Sequence, residues 1–291
     1  KNVKRPCEEM GNLPGGMGLD VKTDLQGTET VTSVEPVRDT GTLGKAMDVL
    51  EVIASSPVPL RFTDLLPLID QPRGTIHRQL KNLMDEGLIS IGRDQTYGLG
   101  LRLLRFASKS WSRNRFREIA EPEMRRLHEA TGETVHLGIL SGSEVVYLDK
   151  VESRQTVRMH SQIGNASPTY CTGVGKAALS TLDDAHVRKL LAKTIFKQHT
   201  PTTLKGIEAL ISELHDIRTD GNAFDREEHE PGIHCVAAPV SSREGNLAAG
   251  VSVTAPAFRV PMQQLQAWAP LVREAGRALS EEVNARLSPR N

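Results

Sequence analysis

Residues 71–89 read Gln71-Pro72-Arg73-Gly74-Thr75-Ile76-His77-Arg78-Gln79-Leu80-Lys81-Asn82-Leu83-Met84-Asp85-Glu86-Gly87-Leu88-Ile89, a helix with a marked start and stop. Pro72 suits the first helical turn, where its missing N–H costs nothing. Gly87 suits a left-handed C-terminal cap. Ile76, Leu80 and Leu83 fall at i, i+4, i+7 and make one apolar stripe. The opposite face carries Gly74, Thr75, Arg78, Lys81 and Asn82. From Gln71 to Met84 there are three basic residues, Arg73, Arg78 and Lys81, and no acid. A small basic face suits a helix laid in the DNA major groove, where Arg forks onto guanine, Asn onto adenine, and Thr touches a base or a phosphate. Alone, the same face also reads as an ordinary solvated one.

The flanks favour DNA. Residues 62–70 predict a short apolar helix and a tight turn into Pro72. Downstream, 88–91 alternates as a strand, 92–95 is a turn, and 96–99 is a return strand. Helix, turn, basic helix and hairpin in that order make a winged helix-turn-helix. Its DNA-contacting set is Arg73, Thr75, His77, Arg78, Lys81 and Asn82, with Arg93 at the tip of the wing.

Three segments then carry a resemblance: Gly41-Thr-Leu-Gly-Lys-Ala-Met-Asp-Val-Leu-Glu-Val-Ile-Ala54, Pro72-Arg-Gly-Thr-Ile-His-Arg-Gln-Leu80 and Tyr97-Gly-Leu-Gly-Leu-Arg-Leu103. They resemble the DNA-binding half of IclR-type (isocitrate lyase regulator) bacterial transcriptional regulators, and the likeness runs from about residue 41 to 285. Asp70 stands where the family usually has Gly, and Gly74 where it usually has Ser. Those departures bear on the base sequence read, not on the fold.

At 291 residues, two domains are the natural expectation. A 38% hydrophobic content suffices for folded cores, and the formal net charge of zero argues for docking on DNA through one patch rather than coating it. No run approaches the ~18 apolar residues of a membrane span, and no signal peptide is visible. Three isolated cysteines, Cys7, Cys171 and Cys235, form no CxxC pair and leave an odd count. That points to a reducing cytoplasm and away from a zinc site or disulfide framework.

The expected organisation is a flexible tail over 1–40, a winged helix-turn-helix over 41–100, a linker helix over 101–118 and an effector-binding domain over 119–288. Thr42 is placed to cap a first helix whose stripe is Ala46, Val49, Leu50, Ile53 and Ala54. The linker helix has an apolar side (Leu103, Leu104, Ala107) and a basic one (Arg102, Arg105, Lys109). Arg113, Arg115 and Arg117 follow, more simply read as solvated linker than as phosphate contacts. Pro122 is expected to open the next helix. Strands at 135–140 and 145–148, helices at 176–181, 184–192 and 204–220, strands at 233–240 and 247–253, and a helix at 262–285 complete an α+β chain. The resemblance implies a GAF-like sandwich for this half, one sheet covered by helices.

Two motifs tempt and fail. Gly173-Val-Gly-Lys176 has Tyr170 where a phosphate loop needs its first glycine, and Ala177 after the lysine. A glycine-rich turn into a helix start still presents backbone N–H groups to a small anion. His229-Glu-Pro-Gly-Ile-His-Cys235 is one residue too long for HExxH, and Pro-Gly breaks any helix there. Asp225, His229 and Cys235 suggest a cysteine hydrolase, but no nucleophile elbow accompanies them. By resemblance, 225–235 is the family's signature segment and 251–254 its last strand. The implied effector pocket is Gly173 and Val174 through their backbone N–H groups, with Asp225, Cys235, Ser252 and Thr254. Ser252 and Thr254, two apart on a strand, share a face.

The resulting expectation is a non-enzymatic transcriptional regulator, repressor before activator, working in the bacterial cytoplasm on the nucleoid without metal or cofactor. Its partners would be a palindromic double-stranded operator, a small organic acid and further copies of itself, as a homodimer or dimer of dimers. The rivals are a ligand-sensing protein-interaction module without DNA binding, and a Cys235 hydrolase.

Overall fold

The structure, a computed structural model, describes residues 41–156 and 161–287. The expected tail, Cys7 within it, and residue 288 lie outside the described residues. The chain divides into two compact units between Leu101 and Arg102.

The first unit runs α1 (Gly41–Ser55), β1 (Leu60–Arg61), α2 (Phe62–Leu65), α3 (Arg73–Asp85), β2 (Ile89–Ile91) and β3 (Thr96–Leu99). Val49, Leu50 and Ile53 of α1 and Ile76, Leu80 and Leu83 of α3 are buried. Gln71 Nε2 donates to the Lys45 carbonyl (3.0 Å) and Gln79 Nε2 to the Thr42 carbonyl (3.5 Å), so α1 braces α3 by polar contacts too. Thr42 lies inside the first turn of α1, not at the cap position expected of it. Helix α3 ends as Gly87 anticipated. Gly87 has φ +67°, its N–H donates to the Met84 carbonyl, and the Leu88 N–H donates to the Leu83 carbonyl, each at 2.9 Å. Helix α2 is a single turn, and Leu66 still holds helical backbone (φ −58°, ψ −43°) as the chain passes into the turn at Pro67. The two-residue β1 was not foreseen. It pairs Leu60 with Tyr97 and makes the wing a three-stranded sheet in the order β1-β3-β2.

The second unit runs α4 (Leu101–Ser112), α5 (Arg115–Thr131), β4 (Thr134–Ser141), β5 (Glu144–Val151), β6 (Ala166–Pro168), α6 (Gly173–Ser180), α7 (Asp184–Leu190), α8 (Ile207–Asp220), β7 (Ala223–Arg226), β8 (Ile233–Ser241), β9 (Ala248–Pro256) and α9 (Met262–Arg286). Helix α5 begins at Arg115 because the Asn114 side chain accepts from the Arg117 N–H at 3.0 Å. Pro122 therefore sits inside the helix instead of opening it.

Six strands form one antiparallel sheet in the order β6-β5-β4-β9-β8-β7. Strand alternation sends Val135, Leu137, Val236, Ala238, Val251 and Val253 into one core with α5 and α9. The opposite face carries α6, α7 and α8 over a second core that includes Cys171, Leu179, Leu214, Cys235 and Ala237. The α+β sandwich is thus covered by helices on both faces. Gly138 of β4 and Gly250 of β9 let α6 sit directly on the sheet, since a Cβ at either would lie 2.8 Å from Val174. Every residue of α6 is buried as a result.

Candidate DNA-reading helix and effector cavity

On α3 the apolar stripe is buried and Arg73, His77, Arg78, Lys81 and Asn82 are exposed, with Thr75 half-buried. Phe62 of α2 holds two of these. The Arg73 guanidinium lies 5.4 Å from its ring centroid, and the His77 ring meets it edge-on at 5.9 Å. These contacts orient Arg73 and His77 from one side. Arg93 is exposed in the β2–β3 turn. Arg117 is structural. Its guanidinium stacks 3.9 Å from the Trp111 ring and pairs with Asp149 at 3.0 Å.

In the second unit the α6 face of the sheet encloses a cavity of about 230 Å³, and Gly173, Val174, Asp225, Cys235, Ser252 and Thr254 all line it. Strand register explains the convergence. Asp225 pairs with Cys235, Cys235 with Thr254, and Thr254 with Thr134, a row across four strands on one face. Ser252 stands in the next row on that face, opposite His136.

The helix start above this floor is uncapped. Thr172 precedes Gly173, but its hydroxyl donates to the Pro168 carbonyl at 2.8 Å and does not accept from the first turn. The first N–H groups of α6 therefore lack a side-chain cap at the positive end of the helix, and Gly173 and Val174 there line the cavity. Gly173 is small by necessity, because a Cβ there would lie 2.7 Å from Cys235 Sγ.

Ser252 is 1% exposed, and its hydroxyl has no hydrogen-bond partner among the described residues beyond the weakly polar Cys235 thiol beside it. Asp225 is 5% exposed, and its Oδ1 accepts from the Glu228 N–H at 2.7 Å. Burial pushes its carboxyl up to about 7, against the hydrogen bond from Glu228. Asp225 is thus both a turn cap and a group able to change charge near neutrality. Burial, with Asp225 nearby, pushes the Cys235 thiol up to about 12, which leaves it a protonated, poor nucleophile.

Sequence reasoning missed His136, Tyr147 and Thr172 as cavity residues. His136 was findable once Ser252 was placed, since it shares a strand face with Thr134 and pairs with Ser252. Its Nδ1 lies 3.3 Å from Thr254 Oγ1 and its Nε2 2.6 Å from Ser161 Oγ. Burial, then the Lys150 charge, lowers its pKa to about 4, so it is a neutral hydrogen-bonding group. Lys176, the lysine of the failed phosphate motif, is fully buried in ion pairs with Glu213 and Glu228. His234 points to the other side of its strand from Cys235, 3.2 Å from the Val260 carbonyl, so it forms no metal pair with His229.

A winged helix-turn-helix in the first unit and a helix-covered sheet with an uncapped polar cavity in the second define a DNA-binding transcriptional regulator with its own sensing unit. The comparisons give the family. Residues 108–281 match the bacterial transcriptional regulator IclR C-terminal model, and residues 42–90 match the IclR helix-turn-helix domain. The chain belongs to the IclR family of transcriptional regulators. It is 36% identical over 239 residues to the HTH-type transcriptional regulator BhcR of Paracoccus denitrificans, covering 82% of this chain and 85% of that one. To the HTH-type transcriptional regulator KdgR of Escherichia coli it is 32% identical over 223 residues, covering 76% and 85%. The crystal structure of Thermotoga maritima IclR superposes with a TM-score of 0.62 at 29% identity, covering 83% of this chain and 98% of that one. Among the described residues no helix is long and apolar enough to cross a membrane.

Proposed function

We propose that the cavity binds a small organic acid and that its occupancy controls operator binding through α3. The observation that carries this reading is the buried Ser252 hydroxyl, with only the weakly polar Cys235 thiol beside it, on the same cavity as the uncapped start of α6. A buried polar group without a partner costs about 1–3 kcal/mol, and a carboxylate bridging Ser252 to the Gly173 and Val174 N–H groups removes that cost. Asp225 refines the ligand. Near a bound anion it stays protonated and donates a hydrogen bond, so a monocarboxylate with a hydroxyl or carbonyl acceptor fits better than a dianion.

On the DNA side, Arg78, Lys81 and Asn82 read bases and phosphates, flanked by Arg73, Thr75 and His77, and Arg93 reaches the backbone from the wing. One short helix covers few base pairs, so a second copy on a palindromic half-site is required. Exposed Leu101, Leu104 and Phe106 on α4 supply apolar surface for that pairing. Repression is the simpler sign, because a dimer seated on an operator blocks polymerase without needing an activating contact.

Thermal denaturation of the full chain against a panel of mono- and dicarboxylates tests the sensing half. At least one hydroxy- or keto-monocarboxylate is expected to raise Tm, with the shift lost in Ser252→Ala. Equal shifts in wild type and Ser252→Ala would remove the cavity from the reading.

A further inference from the structure

Cys171, His199 and His229 come from three separate segments: the entry to α6, the stretch between α7 and α8, and the turn between β7 and β8. One ligand atom from each lies within 4.8 Å of the other two. The thiol is buried and both imidazoles are half-buried. The two rings stand 5.1 Å apart, tilted by 55°. Among the described residues, no hydrogen bond satisfies the Cys171 thiol or the His229 ring. His199 has one long contact, 3.3 Å from its Nε2 to the Tyr170 hydroxyl, which itself donates to the Lys197 carbonyl at 2.9 Å. Charged groups stand around the trio, with Asp225, Glu228 and Lys176 near Cys171, Lys197 near His199 and Glu230 near His229, but none of them makes a hydrogen bond or ion pair to the thiol or to either ring among the described residues.

We propose that Cys171, His199 and His229 form a binding site for one divalent metal ion, with a thiolate sulfur and two imidazole nitrogens as ligands. That donor set suits a borderline-soft cation and selects zinc over magnesium or calcium, which prefer oxygen. Bonds of ~2.0–2.1 Å to nitrogen and ~2.3 Å to sulfur place tetrahedral ligands roughly 3.3–3.6 Å apart. The present spread closes to that by a shift of about 1 Å, within reach of side-chain torsions on His199 and His229. Both histidines lie outside helix and strand. The metal takes the Cys171 sulfur as thiolate, and the thiol proton is released to solvent on binding.

Three protein ligands leave a fourth position for water or another donor. His229 belongs to both the trio and the wall of the effector cavity, so a bound ion would fix one side of that cavity. The site does not depend on the effector reading. It stands whether or not the cavity takes an acid.

The test is cobalt substitution in the full chain after chelator dialysis. Wild type is expected to bind one Co²⁺ per chain with thiolate-to-cobalt charge-transfer absorption, and Zn²⁺ is expected to displace it. The charge-transfer band should vanish in Cys171→Ala and persist in Cys235→Ala. His199→Gln and His229→Gln should each weaken Co²⁺ binding by at least ~10-fold. Circular dichroism reports folding of every variant, and the two histidine variants decide the matter if Cys171→Ala does not fold. No band in wild type, a band surviving in Cys171→Ala, a band lost in folded Cys235→Ala, or unchanged binding in both histidine variants would overturn the assignment.

Discussion

Lys176 Nζ lies 2.7 Å from both carboxylate oxygens of Glu228, and both side chains are buried, at 0% and 3% exposure. Glu213 completes the set as a second, less buried partner of the same ammonium. This contact ties the first turn of α6 to the turn after β7, the two segments that bring Gly173 and Asp225 to the cavity. A buried ion pair is weak evidence for stability as a pair, but removing one partner strands the other charge. Lys176→Met should therefore destabilise the second unit by about 3–5 kcal/mol. Urea unfolding followed by a probe in that unit measures it. A loss under about 1 kcal/mol would mean that Glu228 finds another partner.

Asp225 carries a pH signature. Its folded-state pKa is pushed up to about 7 by burial, above the ordinary value of 3.8, so the native state holds more protons than the unfolded one between those values. Stability therefore falls as pH rises from about 4 through 7 and is flat beyond. Asp225→Asn keeps an oxygen for the Glu228 N–H but cannot ionise. Its advantage over wild type should grow across that window to about 2–4 kcal/mol at pH 8. Denaturation midpoints at pH 4, 6 and 8 check this, and a pH-independent difference would show that Asp225 does not titrate there.

Gly173 and Cys235 are coupled through space, because a Cβ on residue 173 would meet the Cys235 sulfur at 2.7 Å. Gly173→Ala alone should cost about 1–3 kcal/mol through overpacking. Combined with Cys235→Ala, which vacates the space, most of that cost should return as a favourable coupling of roughly 0.5–3 kcal/mol. Additive effects in the double-mutant cycle would mean that α6 shifts to make room instead.

Arg78→Ala should leave the fold unchanged, since the side chain is exposed, and weaken binding to a selected operator by ~1–3 kcal/mol. Lys81→Ala should weaken binding to all duplexes alike and reduce the salt slope by about one. Gel-shift titration at two salt concentrations separates the two behaviours. Unchanged operator affinity in Arg78→Ala would exclude it from base readout.

Much of the fold was legible because its signals are local. The Ile76/Leu80/Leu83 stripe, Gly87 and the alternation of the hairpin strands each act within a few residues. The misses have local causes too. At Pro122 a strong helix-start signal lost to an Asn114 cap several residues upstream. The edge strands β6 and β7, and β1 in the wing, are too short to show a period. The cavity residues Gly173, Val174, Asp225, Cys235, Ser252 and Thr254 came through the family resemblance; the residues alone offered only the glycine turn at 173 and the shared strand face of 252 and 254. His136 and the Cys171–His199–His229 cluster depend on register between distant segments, which no single stretch reveals. Spacing rules that discount a zinc site examine neighbours in sequence, and those three residues are neighbours only after folding.

The most direct measurement is the affinity of the full chain for an operator selected from random duplex DNA, with and without a carboxylate that raises its Tm. Wild type should change its operator affinity by at least ~10-fold on adding the acid, while Ser252→Ala binds the same DNA with wild-type affinity and ignores the acid. An equal response in Ser252→Ala and wild type would contradict control of α3 through this cavity.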